Sequence, residues 1–304
     1  NKKIFIVFDN KTNNPTYGDF LFFVYLARFF VLKNLEVHFF FFDDSNKKWE
    51  GLLNINEIKK FKNEQINLIK KIGKINNKNI HITTFEKFKK NKYLNSVIVF
   101  EKEVFARIKI FDNILDLLNI ILSYENDKFL NKFLLNKKQF TTPLSISNLK
   151  PYISWHIRYN EKWGTYNNSA NELKIIFKKL RSSFKNKKIA IISDKSGCDF
   201  AKKYLNDTKN IIFSKDITNN FYEDIILSLN SKYYFQFKAG GFLFVSIFSS
   251  LPYRVIDYPS PSFLPWSKKK YFSWILNNQH RIYRNISKIN LISKMISNDG
   301  KNYN

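Results

Sequence analysis

Glycine and proline are scarce in this chain, at 8 and 7 of 304 residues, which excludes collagen-like and Pro/Gly-rich disordered classes. There is one cysteine, Cys198, so no intramolecular disulfide can form, and a reducing compartment is expected. Four histidines and that one cysteine offer no structural-zinc spacing. Acids are few as well: 25 Asp and Glu stand against 51 Lys and Arg, a formal net charge of +26. Long apolar runs are also missing. The most apolar stretch, FLFFVYLARFFVL (20–32), is shorter than a bilayer crossing and contains Arg28, so it reads as a buried helix. The chain opens as NKKIFIVFDN, without an initiator Met, so this end reads as trimmed, and no secretory signal is visible.

Aromatic residues are abundant, 17% with 32 Phe, and exclude disorder over most of the chain. The wealth of Lys, Asn, Ile and Phe is what an AT-rich coding sequence gives any protein. The Lys residues are also spread evenly and the aromatics sit in apolar runs, so no nucleic-acid partner is expected. The net positive field suits anionic small ligands or anionic lipid head groups.

Apolar strand-like runs at 2–9, 35–44, 79–85 and 96–100 alternate with helical patterns at 20–33, 55–73, 112–123 and 125–135. A Thr/Ser/Asn/Pro-rich stretch, 136–151, reads as a linker. The rhythm then restarts, with strands at 152–158, 187–194, 210–214, 232–237 and 253–258 and helices at 168–184, 196–205, 219–230 and 241–249. Such alternation predicts parallel βαβ units: an α/β protein with an acceptor-binding Rossmann-like domain over 1–140 and a nucleotide-sugar-binding one with a C-terminal tail over 141–304. Ligands are expected in the cleft between them.

Four segments carry candidate chemistry. In PTYGDF (15–20), Gly18 permits close approach, Tyr17 stands beside it, and Asp19 is either the cap of the next helix or a general base for an acceptor hydroxyl. SWHIRYNEKWGTYNNS (154–169) ends a strand with His156 and Arg158 on one face; Arg158 can grip a diphosphate, and His156 a phosphate or base. Glu161 is a partner for Arg158 and a reserve base, while Thr165 and Ser169 are helix caps whose neighbouring N–H groups suit a phosphate. In IAIISDKSG (189–197), Asp194 either accepts from a nucleobase or ribose or caps a helix. In FKAGGF (237–242), Gly240 and Gly241 let backbone amides approach a phosphate.

The His-x-Arg segment is similar in spacing to the donor motif of the α1,6-fucosyltransferases and protein O-fucosyltransferases. That resemblance implies that Arg158 holds the donor pyrophosphate, that His156 contacts the nucleotide, and that Asp194 binds guanine. The family's second basic residue is replaced by Tyr159, and Asn160 stands near its usual Asp. YGDFLFFVYLARFF resembles instead the helix start of the lipopolysaccharide heptosyltransferases, in which the Asp is the base; Asp19 would inherit that role. Both families share the GT-B architecture, two Rossmann-like domains with parallel sheets facing a central cleft. The expectation is therefore an inverting, metal-independent glycosyltransferase, cytoplasmic, using a GDP-fucose-like nucleoside-diphosphate sugar and a glycan or lipid-linked acceptor. The tail with Trp266, Trp274, Tyr271 and KKK (268–270) is expected to be a solvated segment that packs its aromatics against the domains, with rest on the inner membrane surface as the alternative. The other classes are a nucleic-acid-binding protein and a catalytically silent nucleotide- or sugar-binding protein.

Overall fold

A computed structural model describes residues 3–10, 16–42, 53–90, 96–100, 118, 121–122, 125–149, 151–161, 167–206, 208–236, 241–251 and 253–255. The chain forms two compact units, Asn1–Phe133 and Leu134–Asn304. Each is an α/β layer structure built on one wholly parallel sheet.

In the first unit, β1 (Lys3–Asp9), β2 (Val37–Phe42), β3 (Ile80–Thr83) and β4 (Ser96–Phe100) lie in the order β3-β2-β1-β4. Between them run α1 (Gly18–Leu32), α2 (Ile55–Lys71) and α3 (Phe85–Lys90), and α4 (Asp127–Phe133) closes the unit. The four consecutive phenylalanines of β2 show why the strand reads as a continuous apolar run: side chains alternate, so both faces must be covered. Phe39 and Phe41 meet Phe20 of α1, whereas Phe40 and Phe42 pack with Phe5, Val7 and Phe88 of α3. Helix α1 is buried around its circumference, as an all-apolar helix must be. Its one basic residue, Arg28, is fully buried and donates to Ile72 O (3.0 Å), Lys132 O (2.8 Å) and Phe133 O (2.7 Å). These carbonyls end α2 and α4, which have no intrahelical donor left for them. Burial lowers the guanidinium pKa to about 10, still well above neutrality.

In the second unit the order is β7-β6-β5-β8-β9, with β5 (Tyr152–His156), β6 (Lys188–Ile192), β7 (Ile211–Phe213), β8 (Tyr234–Gln236) and β9 (Tyr253–Val255). Helices α5 (Leu144–Ser147), α6 (Ala170–Ser183), α7 (Lys195–Tyr204), α8 (Phe221–Asn230) and α9 (Phe242–Ile247) accompany them. One face of the sheet, with Ile153, Trp155, Ile189 and Ile191, packs on Leu173, Ile176 and Leu180 of α6 and Cys198 and Ala201 of α7.

Both sheets are doubly wound. The chain steps outward from β1 to β2 and β3, then returns to the far side of β1 with β4; it repeats the manoeuvre about β5. Strand order therefore reverses at β1/β4 and at β5/β8, where the connections leave in opposite directions and open a crevice beyond the strands' carboxyl ends.

Several expectations are revised. The stretch 136–151 is not bare linker: it holds a 3₁₀ turn at Lys137–Gln139 and α5, and Thr142 bonds Asn230 of α8. Helix α3 was not expected, because six residues are too few to display a helical period. The strand expected to 158 stops at His156. The helix expected at 112–123 lies largely outside the described residues, as does the whole tail from 256. Among the described residues, no helix is long and apolar enough to cross a membrane.

Arg28→Met is expected to leave three helix-end carbonyls without their donor and to cost about 3 kcal/mol or more in urea unfolding of the chain. Arg28→Lys should recover only part of this, because an ammonium cannot reproduce the fork that meets three carbonyls at once.

Candidate functional site

The carboxyl ends of the strands gather most of the polar residues singled out by sequence. In the first unit β1 ends at Asp9, followed by Asn10; both are buried. Asn10 and Gln65 of α2 exchange side-chain amide bonds of 3.3 Å each way. Tyr17 precedes α1, its hydroxyl donating to Glu64 of α2 and its ring lying 4.8 Å from that of Phe61. Asp19 is not the helix cap: α1 starts one residue earlier, Tyr17 is the N-cap residue, and no side chain caps the helix. Asp19 instead stands exposed in the first turn, and desolvation by the surrounding protein raises its pKa above the ordinary carboxylate value. A Cβ at Gly18 would meet nothing within 4 Å among the described residues, so none of these demands glycine there.

In the second unit the reversal point is occupied by His156, the last residue of β5, paired in register with Gln236, the last of β8. The His156 ring is only 8% exposed, and the Phe242 ring lies 4.9 Å away. Burial, followed by the charge of Arg158, pulls its pKa down to about 3, so the imidazole is neutral at any physiological pH. Its Nδ1 has no hydrogen-bond partner among the described residues, and neither has Oγ of Ser154, two residues earlier on the same face. A neutral histidine cannot attract a phosphate by charge; it can donate to or accept from an uncharged group such as a base or hydroxyl.

Arg158 lies beyond the strand, in the loop, and is half-buried. Its N–H donates to Asn168 Oδ1 at 2.7 Å, and its carbonyl accepts from Asn168 N at 2.7 Å. Glu161 is exposed in the same loop. Ser169 caps α6 as expected, but reciprocally with Glu172: Ser169 Oγ accepts from Glu172 N, while the Glu172 carboxylate accepts from Ser169 N. That carboxylate already occupies the end of the helix that an anion was expected to use.

Asp194 caps α7, its Oδ1 accepting from Gly197 N (2.8 Å) and Ser196 Oγ (2.8 Å) while Oδ2 accepts from Asn160 Nδ2 (2.7 Å). Three of its roughly four acceptor positions are filled. A guanine edge, bringing two N–H donors, would have to displace Asn160. Gly241 is the N-cap residue of α9, without a side-chain cap. Thr165 and Gly240 lie outside the described residues. Among the described residues no group of three His, Cys, Asp or Glu side chains could hold a metal ion.

Sequence reasoning passed over Asp9, Asn10, Gln236 and the pair Asn167–Asn168. For Asp9 the signal was present, an acid closing a buried strand. For Gln236 it was not, since only strand order places it beside His156. Gly197 was also missed. A Cβ there would lie 1.9 Å from Ser193 Oγ and 2.7 Å from Ser193 Cβ. Gly197→Ala should therefore push Ser193 off its bond to Ile157 O (3.1 Å) and cost about 1–3 kcal/mol, measured by thermal unfolding. Set against known proteins, the chain matches no protein-family model and no curated protein.

Proposed function

We propose that the chain is a GT-B glycosyltransferase that moves a sugar from a nucleoside diphosphate, GDP-fucose-like in its donor motif, to a hydroxyl of a glycan or lipid-linked saccharide. The observation that carries this reading is the reversal point of the second unit. A buried, neutral His156, its Nδ1 unpartnered among the described residues, ends the central strand, and two residues on Arg158 offers a permanent cation. One group suits an uncharged nucleoside and the other a diphosphate, in the order along the chain that the His-x-Arg resemblance implies.

In the proposed inverting displacement, the acceptor hydroxyl is held by the first unit and gives its proton to the Asp19 carboxylate, with Glu161 the reserve base. The acceptor oxygen forms the new bond to the anomeric carbon from the face opposite the diphosphate. The old carbon–oxygen bond breaks, and its electron pair leaves with the nucleoside diphosphate, whose charge Arg158 balances. A carboxyl pKa raised by desolvation makes Asp19 a stronger base than a free carboxylate. Tyr17 and Gly18 border the same turn and would contact the acceptor. Asp194 would read the base only by exchanging Asn160 for it.

Thermal unfolding with GDP, ADP, UDP and CMP, each with and without magnesium, tests the donor half. GDP at a hundredfold excess over Kd should raise Tm by roughly 5 °C, and Arg158→Ala should remove that rise. No shift with any nucleotide would sink the proposal and return attention to nucleic acid.

The catalytic half is tested on Asp19→Asn, which should abolish sugar transfer while nucleotide binding persists. In the native protein the base form of Asp19 is lost as pH falls through its raised pKa. The acid limb of kcat/KM should accordingly lie above the usual carboxylate value of about 4. Transfer surviving in Asp19→Asn would remove this residue from the reaction.

A further inference from the structure

Beyond the end of β5 the chain runs for four residues, 157–160, without regular secondary structure, yet each of the four is held. Ile157 donates its N–H to Ile192 O (3.2 Å) and accepts from Ser193 Oγ (3.1 Å). Tyr159 stacks on Phe200 with ring centroids 3.9 Å apart and planes 11° from parallel, and its carbonyl accepts from Ser196 Oγ (3.4 Å). These two odd-numbered residues are fastened from β6 and α7. The even-numbered ones are fastened by two consecutive asparagines. Asn168 brackets Arg158, accepting from its N–H through Oδ1 and donating its own N–H to its carbonyl. Asn167 brackets Asn160 with its side-chain amide alone, accepting from Asn160 N through Oδ1 (2.9 Å) and donating from Nδ2 to Asn160 O (2.9 Å), whereas the donor of Asn168 is its main-chain N–H.

A side-chain amide has the donor and acceptor geometry of a peptide group, so an asparagine can stand in for the missing ladder partner. Neither asparagine is needed to start α6, which Ser169 caps. Asn168 is 2% exposed, and its Nδ2 has no partner among the described residues, so it carries the burial of a polar group beyond what the bracket itself satisfies. Such a cost is characteristic of a place where geometry matters more than stability.

We infer that Asn167 and Asn168 are positioning residues that fix the main chain of the loop neck, so that the Arg158 guanidinium meets the donor diphosphate from a preset backbone; this rests on the function proposed above. The main chain on which the arginine stands is ordered before the ligand arrives, so less ordering opposes binding.

The test is a double-mutant cycle read by calorimetric titration with GDP, guanosine and inorganic pyrophosphate, on wild type, Arg158→Ala, Asn168→Ala and the double variant. Asn168→Ala should weaken GDP and pyrophosphate roughly tenfold and leave guanosine unchanged. In the background of Arg158→Ala it should add nothing further, because its effect passes through the arginine. Equal weakening of GDP and guanosine, or losses that add in the double variant, would overturn the assignment. Wild-type protein that binds none of the three probes overturns the functional reading and with it the use made of the bracket. Amide hydrogen exchange across 157–161 separates the two failures: Asn168→Ala speeds exchange at Arg158 where the bracket exists in solution and leaves it unchanged where it does not.

Discussion

A parallel sheet must be covered on both faces, and everything else in these two units follows from that constraint. Phe39 through Phe42 have an apolar partner on each side of the sheet, and Ile153, Trp155, Ile189 and Ile191 are sealed under α6 and α7. Where the centre of a sheet is closed on both faces, its unpaired backbone groups lie at the strand ends, while the outer strands β3 and β4 of the first unit keep Ile82, Val97 and Ile98 exposed. The carboxyl ends are where the strand order reverses and where helix starts and loops converge, so polar chemistry collects there. Arg28 serves the same accounting at the opposite pole of the first unit's helices, closing two C-terminal ends that an otherwise apolar packing would leave unsatisfied.

Within the second unit, occupied and open polar groups stand close together. Glu172, Asp194 and Asn220 each spend side-chain acceptors on the first turns of α6, α7 and α8. These helix ends are already balanced by the protein's own groups. His156, Ser154 and Asn168 are different, because each keeps a buried polar atom without a partner among the described residues. The contrast directs attention to the His156–Arg158 stretch rather than to helix termini, although termini are the more familiar phosphate sites. On the proposed reading the roles divide: the cation would supply the charge, and the neutral imidazole the direction.

Much of the fold was legible because its signals are local. The strand at β1, the apolar α1 and the starts of α6 and α7 announce themselves through runs, spacing and capping residues within a few positions of one another. Signals failed where local content was thin. FEKFKK is too short to show a period, and the stretch 136–151 has turn-like composition yet packs Thr142 against Asn230, 88 residues away. Asp194 illustrates the same limit at the site. Its capping role follows from the neighbouring Ser and Gly, but its bond to Asn160 depends on β5 and β6 being adjacent.

The sequence by itself determined that this is an α/β chain with two runs of parallel βαβ units, because hydrophobic periodicity and capping act over a few residues. It also marked His156, Arg158, Asp19 and Asp194 as the polar residues near strand ends. Only tertiary structure decided their states. Strand order set His156 beside Gln236 and under Phe242, where burial holds it neutral; packing around the first turn of α1 raised the Asp19 pKa; and a ten-residue return of the chain brought Asn168 back onto Arg158. Solvent exclusion and hydrogen-bond partnership are properties of neighbours in space, and the neighbours here come from different elements of the fold.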